Sequence, residues 1–308
     1  MTTASRTLEG LHARPSLRAQ LDLPRRVVFV AAASMVAVVA LLLGFILWRG
    51  LQLFVADGIP VSIILNPTWS PADEPVSFGI LPFILGTVGV TVVGLLISTP
   101  LAIGLAIFLS EIAPPWARRL VQPALEVFVG IPSVVWGLMG LTVLVPFLRQ
   151  QFSWVGFTVG FSWLAGSLVL SMMVLPTITT ITYDALRAIP LEQRTASLAL
   201  GTTRWQTIRH ILLPSARAGI LTALVLGMTR AAGEALAVQM VIGNRPTIPS
   251  ALTQPVTTLT SQIALDMGDT VSGTPWNDAL WTMAAVLLLI SMSSVVLIRL
   301  LNRRRATP

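Results

Sequence analysis

The chain has 308 residues, is 54% hydrophobic, only 11% charged, and has a mean hydropathy of +0.81. A water-soluble core of this length needs more polar surface than that, so composition places the chain among integral membrane proteins. It contains neither cysteine nor lysine, and all 20 basic residues are arginine. A disulfide framework, a thiolate metal site, a cysteine nucleophile, Schiff-base chemistry and a phosphate-gripping P-loop lysine are therefore excluded, and any ATP hydrolysis that drives this chain belongs to another subunit. The net charge of +7 does not indicate nucleic acid, because the arginines sit between apolar runs and form no aromatic-interleaved patch.

Residues 1–24 are polar without a clear period and read as a cytoplasmic tail or a short surface helix. Six apolar runs of about 20 residues or more follow, the length a bilayer core demands. Span one covers about 27–47 and is preceded by Arg25 and Arg26. It is too long for a signal-peptide core and lacks a small-x-small cleavage site, so it reads as a retained helix. With its outer loop it forms a segment 25–75. The core 76–301 holds the other five. Span two covers about 80–109, with Glu111 beyond its inner end as an interfacial charge. Span three, about 120–148, is interrupted by Pro123, Pro132 and Pro146. Span four covers about 160–182, span five 217–242 and span six 278–300, and 302–308 is a short tail. The outer loops 49–78 and 243–277 are polar.

The arginines set a topology. Sixteen lie before span one, between spans two and three, between four and five, or at the C-terminal end, against three (Arg49, Arg149, Arg245) in the alternate loops. By the positive-inside rule both termini are cytoplasmic in an inner membrane, and the lipid bilayer is the first partner. The outer loops carry Asp57, Asp73, Glu74, Asp266, Asp269 and Asp278.

The inner loop 184–214, DALRAIPLEQRTASLALGTTRWQTIRHILLP, is far longer than a connector requires. Pro190 opens a helix, Gly201 fits the left-handed position that ends it, and Thr202 or Thr203 caps the next. Trp205, Ile208, Ile211 and Leu212 line one face of that second helix, which Pro214 is expected to end. Such a helix–glycine–helix either rests on the membrane surface or docks a partner.

The spacing of Ala196, Gly201, Ile211, Leu213 and Pro214 resembles the cytoplasmic EAA loop of ABC-importer permeases. The signature runs Glu-Ala-Ala, three residues, Gly, nine residues, Ile-x-Leu-Pro. Here Thr195-Ala196-Ser197 stands for the first triplet, so the glutamate is missing, although Glu192 lies one turn earlier. Four stretches, GIPSVVWGLMGL (130–141), LALGTTRWQTIRHILLPSARAGI (198–220), TRAAGEALAVQMVIGN (229–244) and TLTSQIAL (258–265), look like the phosphate-specific PstC-like branch, with the PstA-like branch as the second choice. The resemblance covers about 75–301. It implies an all-α type I importer-permease fold. It also implies a coupling loop in which Thr195, Ala196, Ser197, Gly201, Thr202, Thr203, Arg204, Trp205, Ile211, Leu213 and Pro214 meet the ATPase. The implied partners are a homologous PstA-like permease, two PstB-like ATPase subunits and a PstS-like phosphate-binding protein. This chain binds no cofactor; ATP-Mg belongs to the ATPase.

Arg230 and Glu234 stand inside span five. An arginine at mid-bilayer costs about 2.5–3.5 kcal/mol on insertion scales. Their i, i+4 spacing predicts one helix face and a mutual pair, which either fixes span five or lines an anion path. Guanidinium presents a planar fork matched to oxyanions such as phosphate, and the resemblance implies that both residues serve transport. Glu126 is a third intramembrane charge, either bonded to a neighbouring helix or a second pathway group. Gly130, Gly137 and Gly140 favour close helix packing. His12 and His210 lack metal-ligand neighbours and read as surface residues, and no catalytic constellation is visible. The rival functions are an ABC permease for sulfate, molybdate or an amino acid and, from another class, an autonomous channel or secondary carrier.

Overall fold

The computed structural model describes residues 17–303, so the tail readings for 1–16 and 304–308, with His12, lie outside the described residues. Helix α1 (Leu17–Val55) begins well before the apolar run, and residues 17–24 already belong to it. The chain divides after Arg49 into two units. In the first, the apolar side chains of 27–42 are exposed on this chain, as on a helix that faces lipid.

The second unit, from Gly50, holds a two-residue hairpin of β1 (Trp69–Ser70) and β2 (Ser77–Phe78), then helices throughout. These are α2 (Leu81–Ile107), α3 (Pro115–Gly130), α4 (Ser133–Met139), α5 (Val145–Gln151) and α6 (Trp163–Arg187). The inner loop carries α7 (Leu191–Ala199) and α8 (Arg204–Thr207), followed by α9 (Leu213–Ala232), α10 (Leu236–Ile242), α11 (Leu259–Asp266) and α12 (Pro275–Arg303). Six helices among the described residues are long and apolar enough to cross a membrane: Arg25–Val55, Leu81–Ile112, Ser133–Gln151, Trp163–Arg187, Arg204–Ala232 and Pro275–Val296. The chain is an all-α, multi-pass membrane protein.

Three π-helical turns, Phe108–Ile112, Gly140–Leu144 and Ile208–Leu212, each end two residues before a proline: Pro114, Pro146 and Pro214. In each case the intervening residue donates its N–H five residues back, Ala113 to Phe108, Val145 to Gly140 and Leu213 to Ile208. Where the helix continues, at Pro146 and Pro214, the ring would clash with the carbonyl four residues before it and the wider turn moves that carbonyl aside; at Pro114 the helix ends, with Ala113 extended. Pro214 accordingly does not end the loop's second helix. The helix runs through the π turn into α9, and Pro214 sits in the first turn of α9.

Span three departs from the expected 120–148. Pro132 forces Ile131 into an extended conformation (φ −64°, ψ 126°), and the chain breaks there. The run becomes a separate α3 and a membrane-length Ser133–Gln151.

Span four, α6, is the hub. Of its most apolar stretch, 61% is buried inside the chain, against 22–28% for spans two, three, five and six. Leu170, Val174 and Ile178 pack with Val90 and Ala102 of α2, Ala223 and Ala231 of α9, and Val238 and Ile242 of α10. Lipid removes most of the hydrophobic gain, so close approach through small residues carries this packing. A Cβ at Gly137 would stand 2.9 Å from the Ala237 Cα, and one at Gly140 would stand 2.6 Å from Val241 Cγ1, whereas Gly130 has open space.

The outer loop 243–277 is not simply solvated. Its part 256–262 is buried, and the Leu259 N–H donates to Thr87 Oγ1 at 2.9 Å. Gly86 of α2 makes room for this return, because a Cβ there would collide with the Thr257 carbonyl. Gly86→Val is therefore expected to destabilise the purified protein by roughly 1–3 kcal/mol through overpacking. The matched control is Gly104→Val, where a Cβ meets nothing within 4 Å. Thermal unfolding in detergent, followed by size-exclusion fluorescence, compares them.

Candidate functional site

Span five is interrupted at the two charges it carries. Helix α9 ends at Ala232, Gly233 caps it, and α10 starts at Leu236. The segment Gly-Glu-Ala between them interrupts the helix, so Arg230 and Glu234 do not share one helix face and the expected i, i+4 pair does not form. Among the described residues no carboxylate lies within 4.0 Å of the Arg230 guanidinium. Instead, each charge sits at the helix end that suits it. Arg230 occupies the last turn of α9, where the helix dipole favours a cation. Glu234 stands at the start of α10, where the dipole favours an anion, and its Oε1 accepts the Ala237 N–H at 3.1 Å.

The freed backbone at the break is satisfied by the returning segment. Thr260 Oγ1 donates to the Glu234 carbonyl at 2.8 Å, and Thr258 Oγ1 caps α11 by accepting the Ser261 N–H. Irregular backbone is tolerated at membrane depth only where protein or a polar cavity covers it, and residues 257–262 supply that cover. Arg230 is half-buried, and its Nη1 reaches the Thr177 hydroxyl of α6 at 3.4 Å. Glu126 lies elsewhere. It is exposed on α3, outside the six membrane-length helices, and makes no ion pair or hydrogen bond to Arg230.

The inner loop is folded as its residues require. Gly201 takes φ +80°, and Thr203 forms a capping box with Gln206. Thr202 turns back to the Ser197 carbonyl, and the hydroxyls of Ser197, Thr202 and Thr207 lie 2.7–3.2 Å from one another. Ile208 and Leu212 are buried against Ala106, Leu186 and Ala216, whereas Trp205 is 60% exposed and does not share their face. Thr195 bonds only its own helix, at the Leu191 and Glu192 carbonyls. His210 is exposed, with Nδ1 3.1 Å from the Gln206 carbonyl. Around the loop lies a cavity of about 550 Å³, lined among others by Arg118, Arg187, Arg204, Leu191, Leu198 and Trp205.

Residues that sequence reasoning passed over are Thr87, Thr177 and Thr260, and Glu111, which is no mere interfacial charge but pairs with Arg194 at 3.3 Å. The run TTLTS before an apolar stretch was a capping signal for the returning helix.

Residues 98–307 match the family described as binding-protein-dependent transport system inner membrane component. The chain belongs to that family. It is 48% identical over 91% of its length to a probable ABC transporter permease protein, YqgH, of Bacillus subtilis, covering 90% of that protein. It is 32% identical over 92% of its length to the phosphate transport system permease protein PstC of Xylella fastidiosa, again covering 90%. In fold it is similar to a crystal structure of a bacterial alginate ABC transporter in complex with an alginate pentasaccharide-bound periplasmic protein. That match has a TM-score of 0.63 at 18% identity and covers 93% of this chain and 98% of that one. The fold is that of a type I ABC-importer permease, and the chain is a membrane permease subunit rather than a catalytic one. Membership sets aside the autonomous channel and the secondary carrier.

Glu234→Ala removes the carboxylate cap of α10 and is expected to cost about 0.5–2 kcal/mol of stability. Glu234→Gln keeps an acceptor and is expected to lose less. Thermal unfolding of the two variants side by side checks the order, and equal losses would mean that charge at the helix end outweighs the hydrogen bond.

Proposed function

We propose that this permease provides the translocation path for phosphate in an ATP-driven importer. The observation that carries the reading is Arg230: a half-buried guanidinium, in a helix of membrane length, with no carboxylate within 4.0 Å among the described residues and only a long bond to a threonine hydroxyl. Such a cation offers a multi-donor fork to an oxyanion, and the anion need not first displace a resident carboxylate. Glu234, one helix end away, limits how tightly an anion is held, so that what binds is also released. Glu126, exposed on α3, serves as a further pathway group only from a surface that a second subunit covers. The PstC relatives support phosphate as the substrate.

The assembly proposed is this chain beside a PstA-like permease, with two PstB-like ATPase subunits on the inner loops and a PstS-like phosphate-binding protein outside. ATP-Mg is held by the ATPase, and both termini face the cytoplasm, as the arginine distribution supports. Closure of the ATPase pair would press on residues 195–214. Because α8 runs through a π turn into α9, that load reaches Arg230 roughly 40 Å from the start of α8 along a continuous helix. Alternating access then follows from rigid-body movement of spans three to five.

A second reading keeps the machine and changes the cargo, since the 48% relative is named only as a probable permease. Competition of labelled phosphate uptake by sulfate, molybdate and amino acids separates the two. For the path itself, Arg230→Gln in the reconstituted complex is expected to lower ATP-dependent phosphate uptake by about tenfold or more while ATP hydrolysis persists, because a neutral amide cannot replace the charge-assisted fork. Undiminished uptake would remove Arg230 from the path.

A further inference from the structure

The first helix of the inner loop, α7, is held by very little. Of residues 191–199 only Arg194 and Ser197 are not exposed. They lie three apart, on one face. Ser197 ties α7 to the second arm of the loop through the Thr202 and Thr207 hydroxyls, and hence to span five. Arg194 ties it to the membrane core. Its Nη2 stands 3.3 Å from Glu111 Oε1 and donates to the Leu186 carbonyl at 2.7 Å, and the two charged side chains are each 16% exposed. Glu111 belongs to the π-helical turn at the end of span two, and Leu186 to the last turn of span four. The same π turn is gripped from the other side by Arg118 of α3, whose Nη2 donates to the Ser110 carbonyl at 3.1 Å.

The position where the family signature carries glutamate is Thr195, and its hydroxyl is spent on its own helix. The charged tie between loop and core is made by its neighbour Arg194: the loop supplies the cation and span two the anion. Beside that pair, α7 and the following turn expose Leu191, Leu198 and Leu200, the last at 85%, and Leu191 and Leu198 line the same cavity as Arg194 and Glu111. A partner pressing on those leucines meets a helix joined to span four by residues 188–190 and the Arg194–Leu186 bond, and to span two through the Arg194–Glu111 pair.

We propose that Arg194 and Glu111 form a positioning strut, through which the inner loop moves span two together with span five during the transport cycle. This rests on the reading of the chain as an ATPase-coupled permease. Neither residue touches substrate or nucleotide; they act through the helices they join. An ion pair suits the task because its attraction persists over small changes of angle that would break a directional hydrogen bond.

The test uses the full four-subunit complex in liposomes with the phosphate-binding protein, carrying Glu111→Gln, Arg194→Gln, or the exchange E111R/R194E. Three quantities are read in each preparation: ATPase retained on purification, ATP hydrolysed, and phosphate taken up. The strut predicts normal ATPase retention, with phosphate moved per ATP falling about fivefold or more in each single variant and returning to within about twofold of wild type in the exchange. An unchanged ratio in both single variants overturns it. So does loss of the ATPase from either variant, which would make the pair part of docking. An exchange that restores nothing also overturns it, since the charges then do not act on each other. A wild-type complex that moves no phosphate overturns the substrate assignment instead, so the two failures are distinguishable.

Discussion

The break in span five constrains everything around it. A backbone that leaves the helix at Gly233–Ala235 exposes polar groups that lipid cannot satisfy, so protein must be brought to them. That protein is the returning segment 256–262, which gives Thr260 to the Glu234 carbonyl and is itself pinned by Thr87. The return in turn requires Gly86, because no side chain fits beneath the Thr257 carbonyl. The charges follow the same logic. Two short helix ends facing each other create one place that favours a cation and one that favours an anion, and Arg230 and Glu234 occupy them in that order. A mutual ion pair would have used up both charges. Helix ends stabilise them while leaving the guanidinium open to another anion.

The prolines show a second economy. In a membrane helix a proline that simply broke the ladder would leave carbonyls without partners. Here three prolines each follow a π turn, and the donor before each is still bonded; the helix runs on through Pro146 and Pro214 and ends before Pro114. Two of the three turns lie where the inner loop meets the core: one carries Glu111 and the other leads α8 into α9. The loop is therefore joined to span five through unbroken helix and to span two through a charge pair on a locally widened turn.

Much of this was legible in the sequence. Span number, class and the glycine bend of the loop follow from apolar run lengths and from Gly201 and Thr203, all local signals. What escaped was nonlocal. Gly-Glu-Ala reads as helix by composition, and only the arrival of Thr260 makes its unwinding affordable. Pro132 was visible as a bend, but that α3 stands apart, leaving Glu126 exposed, depends on how the two pieces pack. Trp205 has the spacing of a core residue. The π turn after Thr207 shifts the helical phase, so Ile208 and Leu212 point inward without it. Glu111 of span two and Arg194 of the inner loop lie far apart in sequence, and no local pattern announces that they meet.

The division of labour between the two halves of span five links the inner loop to the charges. Arg230 rides on α9, which is continuous with the loop. Glu234 caps α10, which is wedged against α4 through Gly137 and Gly140, where the backbones approach too closely to slide without repacking. The two charges are therefore carried by separate helices with different packing neighbours. The separation of Arg230 from Glu234 is then a property of how the two helices pack and not of one helix's geometry. A single unbroken helix with a bonded i, i+4 pair would have carried both charges together and could not have changed that separation. The interruption of span five is thus what frees the spacing of its two charges from the fixed rise and turn of a helix.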